Sequence, residues 1–201
     1  MFTQHVPISI DKQLELKLEG DLDLNGWDQA EIQAAVERES ALRVTTHDDR
    51  VILESLGDLE IQVPAGVSIF VRKVEGDAEF QDLAGQLSVR AVGGDLDLDG
   101  LGDAQVESVG GDLDARKVSS LKVAAVGGDC SVSRIPGAVE ISYIGGYMDA
   151  EDLGSLKLIT VGGDCAANDI EGDFSVSNIG GDLDGENLHA RISSVTVGGD
   201  L

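Results

Sequence analysis

The chain has 201 residues, of which 42% are hydrophobic and only 3% aromatic, and it carries a formal net charge of −24. That charge argues against a nucleic-acid backbone or an anionic membrane surface as partner, since both need a basic footprint. The apolar material is Val, Ile, Leu and Ala, which suits a narrow, stacked core better than a broad sandwich filled by rings.

From the N-terminus, residues 1–17 show no basic leader, no long apolar run and no small-residue cleavage site. As written they read as a cytoplasmic start, with Val6-Pro7-Ile8-Ser9-Ile10 able to cap a stack of strands. No stretch approaches the roughly 20 apolar residues of a membrane-spanning helix, so no membrane insertion is expected. Residues 18–73 read as irregular coils. Leu18-Glu19-Gly20-Asp21 opens one unit, with Leu22, Leu24 and Trp27 following it. Next, Asp28-Gln29-Ala30-Glu31 has the form of a capping box, which would permit a helix over 29–42. Ile32, Ala34 and Val36 alternate instead, which favours a strand. A looser turn is expected over 37–55. Leu56 then restores the phase 18 residues before Val74, with Val67, Ile69 and Val71 in inward positions.

From residue 74 to 201 the chain is regular. A V/I-x-G-D-like signature starts at Val74, Val92, Val109, Val126, Ile144, Val161, Ile179 and Val197, at spacings of 17 or 18 residues. Apolar columns run in phase with it. Four residues on stand Ala78, Leu96, Leu113, Cys130, Met148, Cys165, Leu183 and Leu201; nine residues on stand Leu83, Leu101, Val118, Ile135, Leu153, Ile170 and Leu188. Two more columns run through Leu87 to Ile192 and through Val89 to Leu158, Val176 and Ser194, the last breaking its pattern. Period-2 alternation marks strands, and the slips of parity at Val89–Val92 and Leu98–Leu101 mark corners. The pattern predicts an all-β fold: a single-stranded parallel β-helix, or β-solenoid, of about ten coils. The whole of 1–201 forms one domain, with about three short strands in each coil.

The repeat also lines up carboxylates. One column holds Asp21, Asp77, Asp95, Asp112, Asp129, Asp164, Asp182 and Asp200, interrupted by Tyr147. A second, two residues on, holds Asp23, Glu79, Asp97, Asp114, Asp149 and Asp184. Like charges stacked about 4.8 Å apart repel by roughly 1 kcal/mol in water, so something must offset them. The first expectation is an Asx turn, each Asp bonding local amides while glycine supplies positive φ. The second is a calcium ladder, for which Asp95, Asp97, Asp112 and Asp114 are the candidate ligands. Gly93-Gly94-Asp95-Leu96-Asp97-Leu98-Asp99-Gly100 has the look of a calcium-binding nonapeptide, although that repeat recurs every nine residues. No other cofactor is implied.

Cys130 and Cys165 share one inward column two coils apart, too far for a disulfide, and read as small buried hydrophobes. His5, His47 and His189 fall at unrelated places in the repeat, and no nucleophile elbow or phosphate loop is present, so no catalytic residue is assigned. Tyr143 and Tyr147 flank Ile144-Gly145-Gly146 and are the candidate partner-binding aromatics.

Leu18-Glu19-Gly20-Asp21-Leu22 followed by Gly26-Trp27, the segment Leu59-Glu60-Ile61-Gln62-Val63-Pro64, and the serial Val-Gly-Gly-Asp-Leu units resemble a bacterial family of β-strand-repeat domains of unknown function. Its members are labelled adhesins and are related to toastrack-type domains. The resemblance implies a single-stranded β-helix and, because many members are cell-envelope or stress-response proteins, an envelope location. It implies no catalytic motif. The expected function is a non-enzymatic scaffold that binds a protein partner or itself. The alternatives are a cation-dependent polysaccharide or cell-surface binding module and, further off, a polysaccharide-acting enzyme. Val197-Gly198-Gly199-Asp200-Leu201 stops in mid-strand, which predicts an open C-terminal edge able to pair with another copy in a homo-oligomer.

Overall fold

The computed structural model describes residues 1–188 and 196–200. His189, Ile192, Ser194 and Leu201 lie outside the described residues. Among these described residues, eighteen strands follow in chain order. The first seven are β1 (Phe2–Pro7), β2 (Gln13–Leu18), β3 (Leu22–Trp27), β4 (Glu31–Val36), β5 (Leu42–Thr46), β6 (Arg50–Ser55) and β7 (Leu59–Pro64). Then come β8 (Ser68–Val74), β9 (Ala78–Leu83), β10 (Leu87–Val92), β11 (Leu96–Val109), β12 (Leu113–Val126), β13 (Cys130–Ile144) and β14 (Met148–Val161). β15 (Cys165–Ile170), β16 (Phe174–Ile179), β17 (Leu183–Glu186) and β18 (Thr196–Val197) complete the series. Among the described residues the one helical element is a 3₁₀ turn at Glu39–Ala41.

The repeat builds a β-solenoid with two walls. Positions spaced 17 or 18 residues apart become parallel neighbours: Leu96 lies between Ala78 and Leu113, and Val92 between Val74 and Val109. The first wall is made of β3, β7, β9, the leading halves of β11–β14, β15 and β17. The second is made of β2, β6, β8, β10, the trailing halves of β11–β14, β16 and β18. Alternation turns the apolar residue of each pair inward, so the columns read from the sequence are buried almost without exception. The core is aliphatic apart from Phe80 and Phe174, both fully buried, and the sulfur side chains of Cys130, Met148 and Cys165.

The coils number fewer than expected in chain order. Seven follow one another from Ser68 to Glu186, against the expected ten, and the N-terminal part is stacked out of sequence. β2 pairs with β8 on one edge and with β6 on the other, while β3 pairs likewise with β9 and β7. The coil of residues 13–27 is therefore threaded between the coil of 50–64 and the coil of 68–83. Glu15 fixes that order on the second wall. It is 2% exposed, and it meets Arg72 of β8 on one side and Arg50 of β6, at 3.6 Å, on the other. An ion triad across three coils is a register device, since a slipped pairing would leave a buried carboxylate alone.

Residues 13–17, expected in the cap, are thus part of a central coil, and 37–55 is no loose turn. It forms the 3₁₀ turn and an antiparallel hairpin, β5–β6. The actual cap is antiparallel: β4 covers the outer edge of β7, β1 covers β4, and β5 covers β6. A helix over 29–42 does not form, because Ile32, Ala34 and Val36 are all buried along one side of β4.

Corners also depart from the three-strand expectation. β11–β14 each run 14 or 15 residues as one bent strand. The parity slip at Leu98–Leu101 falls on one left-handed residue, and its column is Asp82, Gly100, Lys117, Arg134, Asp152, Asp169 and Asn187, with φ of 53–71°. Gly, Asp and Asn, which tolerate this conformation best, hold five of these seven places.

Candidate functional site

The feature that sets this solenoid apart is the outer surface of its first wall. At the turn that enters the wall, the aspartates form a ladder between coils, not within them. Each backbone N–H donates to Oδ1 of the equivalent Asp one coil earlier in the stack. Asp21 donates to Asp58 at 3.1 Å, Asp77 to Asp21 at 3.0 Å, Asp95 to Asp77 at 2.9 Å and Asp112 to Asp95 at 2.8 Å. Asp129 donates to Asp112 and Tyr147 to Asp129, both at 2.8 Å. Beyond Tyr147, which has no carboxylate to offer, the ladder resumes with Asp182 to Asp164 at 2.9 Å and Asp200 to Asp182 at 2.6 Å. The order 58, 21, 77 is the threaded order of the coils. These charge-assisted bonds hold each carboxylate in place against its like-charged neighbours.

The Asx-turn expectation is therefore corrected: the acceptor serves the next coil. The role assigned to glycine changes with it. Among the described residues only Gly100 is a glycine with positive φ. The second glycine of each pair is needed for space, because a Cβ at Gly76, Gly94, Gly111, Gly128, Gly146, Gly181 or Gly199 would overlap Oδ1 of the preceding Asp.

Two residues into the wall the second acidic column stacks without interruption, in the order Glu60, Asp23, Glu79, Asp97, Asp114. Ser131 then precedes Asp149, and Ala166 precedes Asp184. Partial burial and the charges of Asp114, Glu79 and Asp95 hold the Asp97 carboxyl above the usual aspartate range. The third column adds Asp99, Glu151 and Glu186, and its one cation is Arg116. Desolvation works against ionisation of Asp99, but hydrogen bonds from Arg116 at 3.1 Å and Lys117 at 3.3 Å outweigh it and hold its pKa down. Across three columns and some nine coils, one wall carries half of the 38 acidic residues of the chain.

Because Asp97 has a raised pKa in the fold, the folded protein binds more protons than the unfolded chain as pH falls through that raised value. Its ionisation therefore destabilises the fold at neutral pH, and the penalty is relieved on acidification toward the ordinary aspartate pKa. Asp97→Asn is expected to raise the melting temperature at pH 7 by about 1–3 °C and to leave it unchanged near pH 4, as read by calorimetry at both pH values.

The sequence-predicted residues fall as follows. Asp95 and Asp112 are ladder members with one oxygen each engaged by a neighbouring amide, whereas Asp97 and Asp114 lie side by side in the second column. All four border one groove of about 360 Å³, whose far end is lined by Ser131, Asp149 and Tyr147. Among the described residues no group of three His, Cys, Asp or Glu side chains is arranged to hold a metal ion.

Tyr147 is 39% exposed on the acidic wall, and partial burial together with Asp149 raises its pKa. Tyr143 is 49% exposed but ends β13 on the second wall, in register with Ala125 and Thr160, so the two tyrosines face different surfaces. Cys130 and Cys165 are free and buried on either side of Met148. Burial pushes the Cys165 thiol up to about 12 and raises that of Cys130 as well, so both are inert thiols. His5 pairs with Glu31 at the cap, 3.2 Å away. Among the described residues no helix is long and apolar enough to cross a membrane.

No family model and no curated protein matches the sequence. Solved structures do. The chain is similar to a "putative adhesin" from Parabacteroides distasonis at 13% identity, with 99% of this chain and 95% of that one covered and a TM-score of 0.45. A second, from Parabacteroides merdae, has 12% identity, coverage of 100% and 95%, and a TM-score of 0.46. A third, from Bacteroides fragilis, has 9% identity, coverage of 100% and 96%, and a TM-score of 0.33. At these scores the superpositions are loose, and the β-solenoid is established by the chain's own strand register.

Proposed function

We propose that this protein is a non-enzymatic, adhesin-like interaction scaffold whose acidic wall is its binding surface and whose partner is cationic. The observation that carries the reading is the one-sidedness of the charge. The outward columns of the first wall stack Glu60, Asp23, Glu79, Asp97 and Asp114 beside the aspartate ladder, with Arg116 as their one cation. The second wall instead mixes Lys17, Arg72, Lys73, Arg90, Lys122 and Lys157 with Glu54, Glu107 and Glu140. Carboxylates held in rows by backbone bonds need no reorganisation to meet a row of ammonium or guanidinium groups, and their summed field speeds encounter.

The test uses an oligolysine peptide as probe, with binding measured over a salt series. Glu79→Gln, Asp97→Asn and Asp114→Asn together remove three charges from the acidic wall without touching the ladder. This variant is expected to weaken binding by on the order of tenfold at physiological salt. Glu54→Gln, Glu107→Gln and Glu140→Gln remove three charges from the other wall and are expected to change affinity by less than about twofold. Equal losses in both variants would mean that the peptide senses net charge alone, and the reading would fall.

A further inference from the structure

The second wall has the makings of a self-complementary surface. At its centre β12 contributes Lys122, Ala124 and Ala125, and β13 contributes Glu140, Ser142 and Tyr143, all at outward positions and in matching register. Lys122 and Glu140 are neighbours at 3.3 Å within one chain, yet their side chains are 67% and 46% exposed. Such a surface pair contributes little to folding and keeps most of its donors and acceptors free. Beside them stand two of the largest exposed apolar side chains of the described solenoid, Tyr143 and Ile159, the latter 45% exposed. The remaining outward residues of the strip, Ala124, Ala125 and Ser142, are small.

We propose that a second copy of this chain docks on this wall with its stack reversed, about a two-fold axis that runs along the strands between β12 and β13. Reversal places Lys122 of each copy opposite Glu140 of the other, so the strip is complementary to itself and forms two equivalent ion pairs. Ala124 then faces Ser142 and Ala125 faces Tyr143, so small side chains let the walls close while the tyrosines fill the flanks. The axis leaves three full strands, β13, β14 and β16, on one side, so six strands overlap; at about 4.8 Å apart and about 20 Å long they give a face of roughly 600 Å² per copy, the low end of stable interfaces. The same arrangement turns both acidic walls outward, where they repel least. It leaves them open to the cationic partner, and the inference stands independently of that partner.

The experiment is sedimentation velocity with light scattering, from micromolar to millimolar protein at physiological salt, where repulsion between like-charged chains is screened. The wild-type mass is expected to rise from one chain to two. Lys122→Glu or Glu140→Lys alone sets like charges face to face twice and is expected to weaken association at least about tenfold. The double variant, with the charges exchanged, is expected to restore the dimer. All three should melt with the wild type, since both side chains are exposed. A wild-type mass of one chain at millimolar concentration would overturn the proposal. So would a dimer indifferent to the single exchanges, or a double variant that fails to recover. Oligolysine binding that persists in the monomeric variants would show that the acidic-wall reading is a separate matter.

Discussion

Replacing Gly128 by alanine is expected to cost about 3 kcal/mol or more, measured by urea denaturation. The new Cβ would overlap Oδ1 of Asp112 and lie 3.0 Å from the carbonyl oxygen of Gly111. Asp112 cannot simply swing away, because the same oxygen accepts the N–H of Asp129 at 2.8 Å. Either that charge-assisted bond breaks or the two coils part, and parting would strain the ladder bonds on either side. Gly163 provides the internal control. The coil before it carries Tyr147 where the others carry Asp, and a Cβ there meets no carboxylate but the Gly146 carbonyl, its oxygen at 3.0 Å and carbon at 3.2 Å, and the Tyr147 nitrogen at 3.5 Å. Gly163→Ala is expected to cost about 1 kcal/mol. In the Gly128→Ala background, Asp112→Ala should cost less than it does alone, a coupling that a double-mutant cycle measures. Equal losses at Gly128 and Gly163 would show that the carboxylate is not what keeps position 128 a glycine.

The second large effect is expected at Phe80. This ring lies in β9, in register between Leu24 of the threaded coil and Leu98 of β11, and it is fully buried. It is therefore the broadest contact across the junction between the capped N-terminal coils and the regular stack. Phe80→Ala is expected to cost about 3–5 kcal/mol. Because each coil touches only its neighbours, the loss should be local before it is global. Hydrogen exchange should rise first in residues 13–64, while β12 and β13 stay protected. A uniform rise along the chain would mean that the junction is no weaker than any other.

What the sequence disclosed and what it hid divide along a physical line. The columns from Val74 to Val197 were legible because strand pairing repeats at the spacing of the motif, so local periodicity and tertiary register are one signal. The threading of residues 13–27 was not. Gly20-Asp21 and Gly57-Asp58 are interchangeable as local patterns, and their order in the stack is set by which edges pair, with Glu15 between Arg50 and Arg72 as the arbiter. The aspartate column was found, but its partner was misassigned. The clue was the spacing itself, since a side chain that recurs once per coil can reach the amide that recurs with it. The corner at Leu98–Leu101 was expected, but its left-handed residue was not read, although a signal existed: Asp82, Gly100, Asp152, Asp169 and Asn187 each precede an aliphatic residue packed in or against the core. Lys117 and Arg134 at the same position masked it. The acidic wall was visible as two columns. Its opposition to a mixed-charge wall required knowing which strands share a surface.

The threaded coil has a consequence for how the protein is made. On the ribosome, residues 13–27 emerge before both of their neighbours, with both hydrogen-bonding edges bare. One neighbour, 50–64, and then the other, 68–83, are still to be synthesised. At about 5–20 residues per second, the 56 residues from Trp27 to Leu83 take about 3–11 s to translate. During that interval a nascent Leu-rich coil is open to pairing with other nascent chains on the same message, which is the hazard of any exposed strand. Asp21, Asp23 and Glu19, which later stack on the acidic wall or beside it, would by then already be charged and in place to repel such neighbours. The acidity that dresses the finished surface would thus also guard the growing chain.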